Sequence, residues 1–211
     1  MKRFAFALAL LFVFAFASSA FADDLYPPEW RGLSGTTFAE WDFNTSSVNP
    51  MPDQWYNPFG PPQTTVTPGF LQNWWQSWGG RNGVWPLSGT IVTTIQNYRT
   101  VNPYKDIWVQ LTWAQQAVNE YPVIRVGQIY GQLINNIYLG PTGEPYGDGK
   151  WWHSTYTLRL YPNPTEETVI IEGAIMVDQL VIDTRCVPEP GSLVALSGLL
   201  GAAGIALKRR R

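Results

Sequence analysis

Apolar and polar residues alternate with period two along most of this chain, and Gly/Pro-rich turns interrupt the alternation. In a strand, successive side chains point to opposite faces, so this pattern builds sheets with one buried face. Asp106 to Trp113 sets Ile107, Val109, Leu111 and Trp113 on one face and Trp108, Gln110 and Thr112 on the other. Trp152 to Leu160 groups Trp152, Ser154, Tyr156, Leu158 and Leu160, with His153, Thr155, Thr157 and Arg159 opposite. Thr168 to Ile175 aligns Val169, Ile171, Gly173 and Ile175. Thr36–Phe43, Thr90–Asn97, Val123–Val126, Leu133–Tyr138 and Met176–Asp183 are further strand candidates. Turn signals separate them, among them Gly60-Pro61-Pro62, Gly79-Gly80, Asn82-Gly83, Gly140-Pro141 and Gly147-Asp148-Gly149. Roughly eight strands so punctuated predict an all-β fold, an antiparallel β-sandwich, and eight is the usual strand count of a jelly roll. Leu111–Asn119 reads alternatively as a short helix. Residues 44–69 are polar and rich in Pro, Thr and Asn. They read as an irregular surface loop pinned by Trp55, Tyr56 and Phe59, with binding and decorative roles both open.

Of the 211 residues, 14% are charged and 15% aromatic. An average domain is about 25% charged. Such richness in aromatics excludes a highly charged disordered chain. A single Cys excludes an internal disulfide. One Cys and one His leave His153 as the lone candidate base for a catalytic triad and argue against Cys/His zinc sites.

Both ends read as addresses. Met1-Lys2-Arg3 precedes the uncharged run Phe4–Ala17, and Ala20-Phe21-Ala22 supplies small residues for an A-x-A cleavage site. Residues 1–22 therefore read as a signal peptide for signal peptidase, with the mature chain starting at Asp23. An uncleaved anchor is the alternative, for which the run is short. At the other end, Pro188-Glu189-Pro190-Gly191 leads into the uncharged residues 192–207, and Lys208, Arg209, Arg210 and Arg211 follow. As a helix, 192–207 spans about 24 Å, slightly under a bilayer core of about 30 Å. It reads as a single transmembrane helix whose basic end stays cytoplasmic.

Pro-Glu-Pro, a short Gly/Ala/Leu helix and a terminal cluster of cations resemble the PEP-CTERM sorting signal, over residues 187–211. The resemblance implies export across the inner membrane, transient anchoring there by the tail, and processing near Pro188, Glu189 and Pro190 by an exosortase-type enzyme. It implies a final place at the cell surface or in the extracellular matrix. It leaves open whether the tail is cut or retained, and it confers no activity. Val177–Cys186, running into Val187-Pro188-Glu189-Pro190, is similar to the closing strand of sandwich-type passenger domains that carry this tail.

Residues 23–186 then form one extracellular β-sandwich domain. Residues 23–187 hold 8 Lys/Arg against 15 Asp/Glu, a net charge of −7, where the whole chain carries −2. An acidic body argues against nucleic acid as a partner. All 11 Trp and all 10 Tyr lie there. Sugar rings stack on flat aromatic rings, so the surplus points to an extracellular polysaccharide. The candidate platforms are Trp74, Trp75 and Trp78, and Trp151 with Trp152. The competing reading makes these tryptophans core anchors.

Glu144, Asp148, Asp178 and Asp183 offer hard oxygen ligands for a structural calcium ion, without an EF-hand spacing; ordinary solvated turn carboxylates are the alternative. No other cofactor is indicated. Glu40 and Asp42 share a strand face at i, i+2, while Glu166 and Glu167 sit at a turn and read as solvated. No nucleophile elbow, H-E-x-x-H or P-loop occurs. The expectation is a non-catalytic polysaccharide-associated module. A matrix or adhesion protein using sheet edges, and a secreted glycan-acting enzyme, are the alternatives. Cys186 is open to an intermolecular disulfide, to modification, or to no reaction at all.

Overall fold

The structure is a computed structural model that describes residues 24–70, 72–97, 102–116, 120–143, 145 and 149–187. Residues 1–22 of the expected leader and 188–211 of the expected tail, with Pro188, Glu189, Pro190 and Lys208–Arg211, lie outside the described residues. So do Glu144 and Asp148.

In chain order the strands are β1 (Thr36–Trp41), β2 (Gln54–Tyr56), β3 (Gln63–Thr67), β4 (Trp75–Trp78), β5 (Arg81–Leu87), β6 (Thr90–Gln96), β7 (Tyr104–Gln115), β8 (Val123–Val126), β9 (Ile129–Tyr130), β10 (Gln132–Pro141), β11 (Lys150–Leu160), β12 (Glu166–Glu172) and β13 (Ile175–Val187). The larger sheet runs β10-β11-β7-β13-β1-β2, with β5 beside the start of β13 and β4 beside β5. The smaller runs β3-β6-β12-β8-β9. Every pairing is antiparallel.

The core lies between the sheets. Ile107, Val109, Leu111 and Trp113 of β7 and Tyr156, Leu158 and Leu160 of β11 meet Ile91 and Ile95 of β6 and Val169 and Ile171 of β12. These are the faces that the alternation predicts. Each such side chain, fully buried, contributes about 1.5–3 kcal/mol.

Three expectations are corrected. The described residues form thirteen strand segments rather than about eight, because short polar strands such as Gln63–Thr67 carry little hydrophobic signal. The helix considered at 111–119 is absent over its described residues, since β7 stays extended to Gln115. Pairing to β11 on one side and β13 on the other overrides local propensity there. The stretch 44–69 contains β2 on the larger sheet and β3 on the smaller. Trp55 and Tyr56 do not pin it, as both are exposed, whereas Phe59 is half-buried. The buried members of this stretch are Pro50, Pro52, Asn57, Pro62, Thr64 and Val66, the last of which joins the main core. Asn57 Nδ2 donates to Gln96 O at 2.9 Å, and its Oδ1 accepts from Phe59 N at 2.9 Å.

A second layer covers the outer face of the larger sheet. The irregular segment Asp24–Gly35 lies across it, with Tyr26 N donating to Gln110 Oε1 (2.8 Å) and Trp108 Nε1 donating to Tyr26 O (2.9 Å). Arg31 ion-pairs with Asp24 and Asp183. Gln110, Thr112, His153, Thr155, Gln179 and Asp183 are buried beneath or beside it. Buried polar groups need partners, and this layer supplies them to Gln110 and Asp183.

Candidate functional site

Beside that covering segment, the outer face of the larger sheet opens into a groove of about 460 Å³, within the size range of ligand sites. Its floor is the outward row of β7 and β11, where Asp106 pairs in register with Arg159 and Trp108 with Thr157. Arg185 enters from β13, opposite Asp106 on the other side of β7. Trp30 of the covering segment stands on one side, Tyr130 of β9 and Gln132 of β10 on the other.

Asp106 organises the charge. Its Oδ1 accepts from Arg159 Nε at 2.6 Å and its Oδ2 from Arg185 Nη2 at 2.6 Å. Two cations on one carboxylate leave a net positive spot in an acidic domain. Arg159 lies over the Tyr104 ring at 4.1 Å, and Arg185 over the Trp30 ring at 5.1 Å, so each guanidinium also has an aromatic neighbour. Hydrogen bonding to Asp106 and Tyr161 raises Arg159 above its ordinary value, and it stays charged. Arg185 Nε is a buried donor with no hydrogen-bond acceptor among the described residues. Trp108 is half-buried and Tyr130 is 62% exposed. Aromatic surface, polar side chains and oriented guanidiniums together suit a flat, hydroxyl-rich, anionic ligand.

The tryptophans singled out from sequence do not converge on this groove. Trp74 is half-buried against the main core, and its Nε1 donates to Phe43 O at 2.8 Å. Trp75 is 48% exposed on β4. Trp78 meets Trp151 edge-on, with ring centroids 5.6 Å apart. Trp151 is buried with Val84, Ala114 and Met176 in a second small cluster, and its Nε1 donates to Gly79 O at 2.7 Å. Trp152 packs on the main core and meets Tyr138 edge-on at 5.6 Å. Trp108 and Arg159 were legible as outward residues of alternating strands. Trp30, Tyr130 and Arg185 come from a loop, a two-residue strand and a distant strand, which no local pattern connects.

The carboxylates are engaged. Asp178 pairs with Arg81 at 2.6 Å and Asp183 with Arg31 at 2.5 Å. Burial pushes Asp183 up to about 6 in spite of Arg31. Among the described residues no group of three or more His, Cys, Asp or Glu is placed to hold a metal ion. Glu40 and Asp42 do share a face, both accepting from Gln179 Nε2, at 2.8 and 3.0 Å. Burial, then the charges of Asp42 and Asp24, push Glu40 up to about 7. His153 is fully buried, 3.0 Å from Thr112 Oγ1 and 3.2 Å from Gln110 Oε1. Glu167 is a correction: it is buried rather than solvated, because its strand turns it inward towards Lys105. Glu166 next to it is exposed, 3.0 Å from Gln96 Nε2.

Residues 187–211 match the model of the PEP-CTERM protein-sorting motif. The tail is a PEP-CTERM motif. Its first residue, Val187, is also the last residue of β13. The PEP-CTERM tail implies export, a membrane-anchored sorting segment and exosortase-type processing. The β-rich structure is consistent with a passenger domain ahead of such a tail. Neither a curated protein nor a solved structure matches the chain.

Proposed function

We propose that this protein is a cell-surface or extracellular module that binds acidic polysaccharide in the groove around Trp108, Tyr130, Arg159 and Arg185. Residues 1–22 serve as its signal peptide, and 192–207 as the membrane-spanning helix before processing. The wiring is jelly-roll-like in this reading, because the chain passes repeatedly between sheets instead of completing one first. The observation that carries the ligand class is the two arginines fixed on Asp106 beside aromatic surface. The module is non-catalytic: glycoside hydrolysis uses two carboxylates, and the groove's Asp106 is held by both guanidiniums.

Calorimetry of the purified protein with a soluble polyuronate and with neutral dextran, each with and without calcium, tests the reading. Saturable binding of the polyuronate is expected. Absence of heat with both polymers overturns it.

A protein partner is the second reading, and β10 favours it. This ten-residue edge strand exposes Leu133, Ile134 and Tyr138. Register shifts after Leu133 and Tyr138 break its ladder, so a partner in this reading meets these exposed side chains rather than extending the sheet.

A further inference from the structure

At the end of the sandwich where β13 leaves the sheet, the inward rows of both sheets carry polar residues instead of apolar ones. Lys105 continues the row of Ile107 and Val109 on β7, Asn97 follows Ile95 after β6, and Glu167 precedes Val169 on β12. Lys105 and Glu167 have fully buried side chains, and Asn97 is also buried. Lys105 Nζ donates to Asn97 Oδ1, and Asn97 Nδ2 donates to Glu167 Oε2. Glu167 Oε1 lies 3.0 Å from Lys105 Nζ, closing a three-residue ring of contacts, although this last contact lacks hydrogen-bond alignment. In register, Lys105 lies between Leu160 and Cys186.

We propose that Lys105 and Asn97 become joined by an intramolecular isopeptide bond, with Glu167 as the proton carrier. An amine, an amide carbonyl and a carboxyl group in mutual contact, away from water, hold every atom this condensation needs. With its proton passed to Glu167, Lys105 presents a neutral amine to Asn97. The carbonyl carbon lies one bond, about 1.2 Å, beyond the oxygen that Nζ already contacts. Nζ attacks this carbon, and the Nζ–Cγ bond forms. Glu167, in contact with both nitrogens, accepts a proton from Nζ and delivers one to Nδ2. The Cγ–Nδ2 bond breaks and ammonia leaves. No oxidant, metal or external donor enters the balance.

Burial drives the same way. Two opposite charges in a dry site are costly, and the neutral acid and amine avoid that cost. Burial raises Glu167 above the ordinary carboxylate range, against the pull of Lys105 and Asn97. The product exchanges a buried ion pair for an amide, and it covalently links the smaller sheet to the larger.

Peptide mapping of the folded, full-length protein tests this. Trypsin cuts after Arg81, Arg99, Lys105 and Arg125 in an unlinked chain. In the linked chain, cleavage after Lys105 is blocked. Residues 82–99 then stay joined to 100–125 at the summed mass less one ammonia. Glu167→Gln and Lys105→Arg are expected to give the separate peptides at full mass. If either variant fails to fold, the wild-type map still decides. Separate 82–99 and 100–105 peptides from folded wild type, unchanged after prolonged incubation, overturn the proposal. A linkage that persists in Glu167→Gln overturns it as well, since the proton carrier would be wrong.

Discussion

Arg31 grips both carboxylate oxygens of Asp183, with Nε at 2.5 Å from Oδ1 and Nη2 at 2.6 Å from Oδ2, across 152 residues of sequence. Asp183 is fully buried in the middle of the larger sheet. Its one guanidinium partner arrives from the irregular covering segment, stacked 4.3 Å above the Phe38 ring. The covering segment is thus attached to the sheet by charge as well as by backbone contacts.

Removing that partner strands a buried carboxylate. Arg31→Ala is expected to cost about 3–5 kcal/mol in chemical unfolding. The double variant Arg31→Met/Asp183→Leu is expected to recover most of the loss, because it removes both charges. A single variant as stable as wild type contradicts this account of the layer.

Stability is expected to fall as pH rises through the mildly acidic range. Glu40 moves from an ordinary 4.5 to about 7 in the folded chain. Between those values the folded state holds a proton that the unfolded state has released. This contribution is therefore full below about 4.5 and gone above about 7. Asp183, raised to about 6, acts in the same direction. Glu40→Gln should flatten the profile and stabilise the protein at pH 8 by on the order of 1–2 kcal/mol. Urea unfolding midpoints across this range provide the measurement, and a rising wild-type profile is the contrary result.

Trp108 and Trp75 separate the groove from the rest of the aromatic surface. Trp108→Ala is expected to weaken polyuronate binding by roughly tenfold or more, the loss of one anchoring ring. Trp75→Ala should leave it within about twofold, since Trp75 sits on β4, away from the groove. Titration calorimetry of the two variants side by side makes the comparison.

Asp106 neutralises part of the positive charge in the groove. Asp106→Asn should tighten polyuronate binding at low salt and steepen its salt dependence, because two guanidiniums lose their internal counter-charge. Its stability cost is expected to be about 1 kcal/mol, as both arginines remain partly solvated. Unchanged salt dependence would mean that the arginines do not face the ligand.

Much of the fold was legible where strands are long and half-apolar. The inward rows of β7 and β11 follow from alternation alone, and β8 has the bounds that Val123–Val126 suggests. Strands such as Gln54–Tyr56 and Gln63–Thr67 escaped notice because their side chains are mostly polar or outward, so pairing and not patterning defines them. The groove was half legible. Trp108, Thr157 and Arg159 stand on outward rows, whereas Arg185 reaches Asp106 only because β13 pairs with β7. The cluster of Asn97, Lys105 and Glu167 was not legible. A lysine on an apolar row breaks the pattern, and its partners come from the opposite sheet.

The place of β13 has a consequence for timing. It is the last strand among the described residues, yet it lies between β7 and β1, with its 13 residues paired on both sides for most of their length. Without it, β1 and β2 share no sheet with β7, β11 and β10. The keystone is therefore delivered just ahead of the sorting tail. In a chain made from its N-terminus, the larger sheet cannot close until everything ahead of the tail is available.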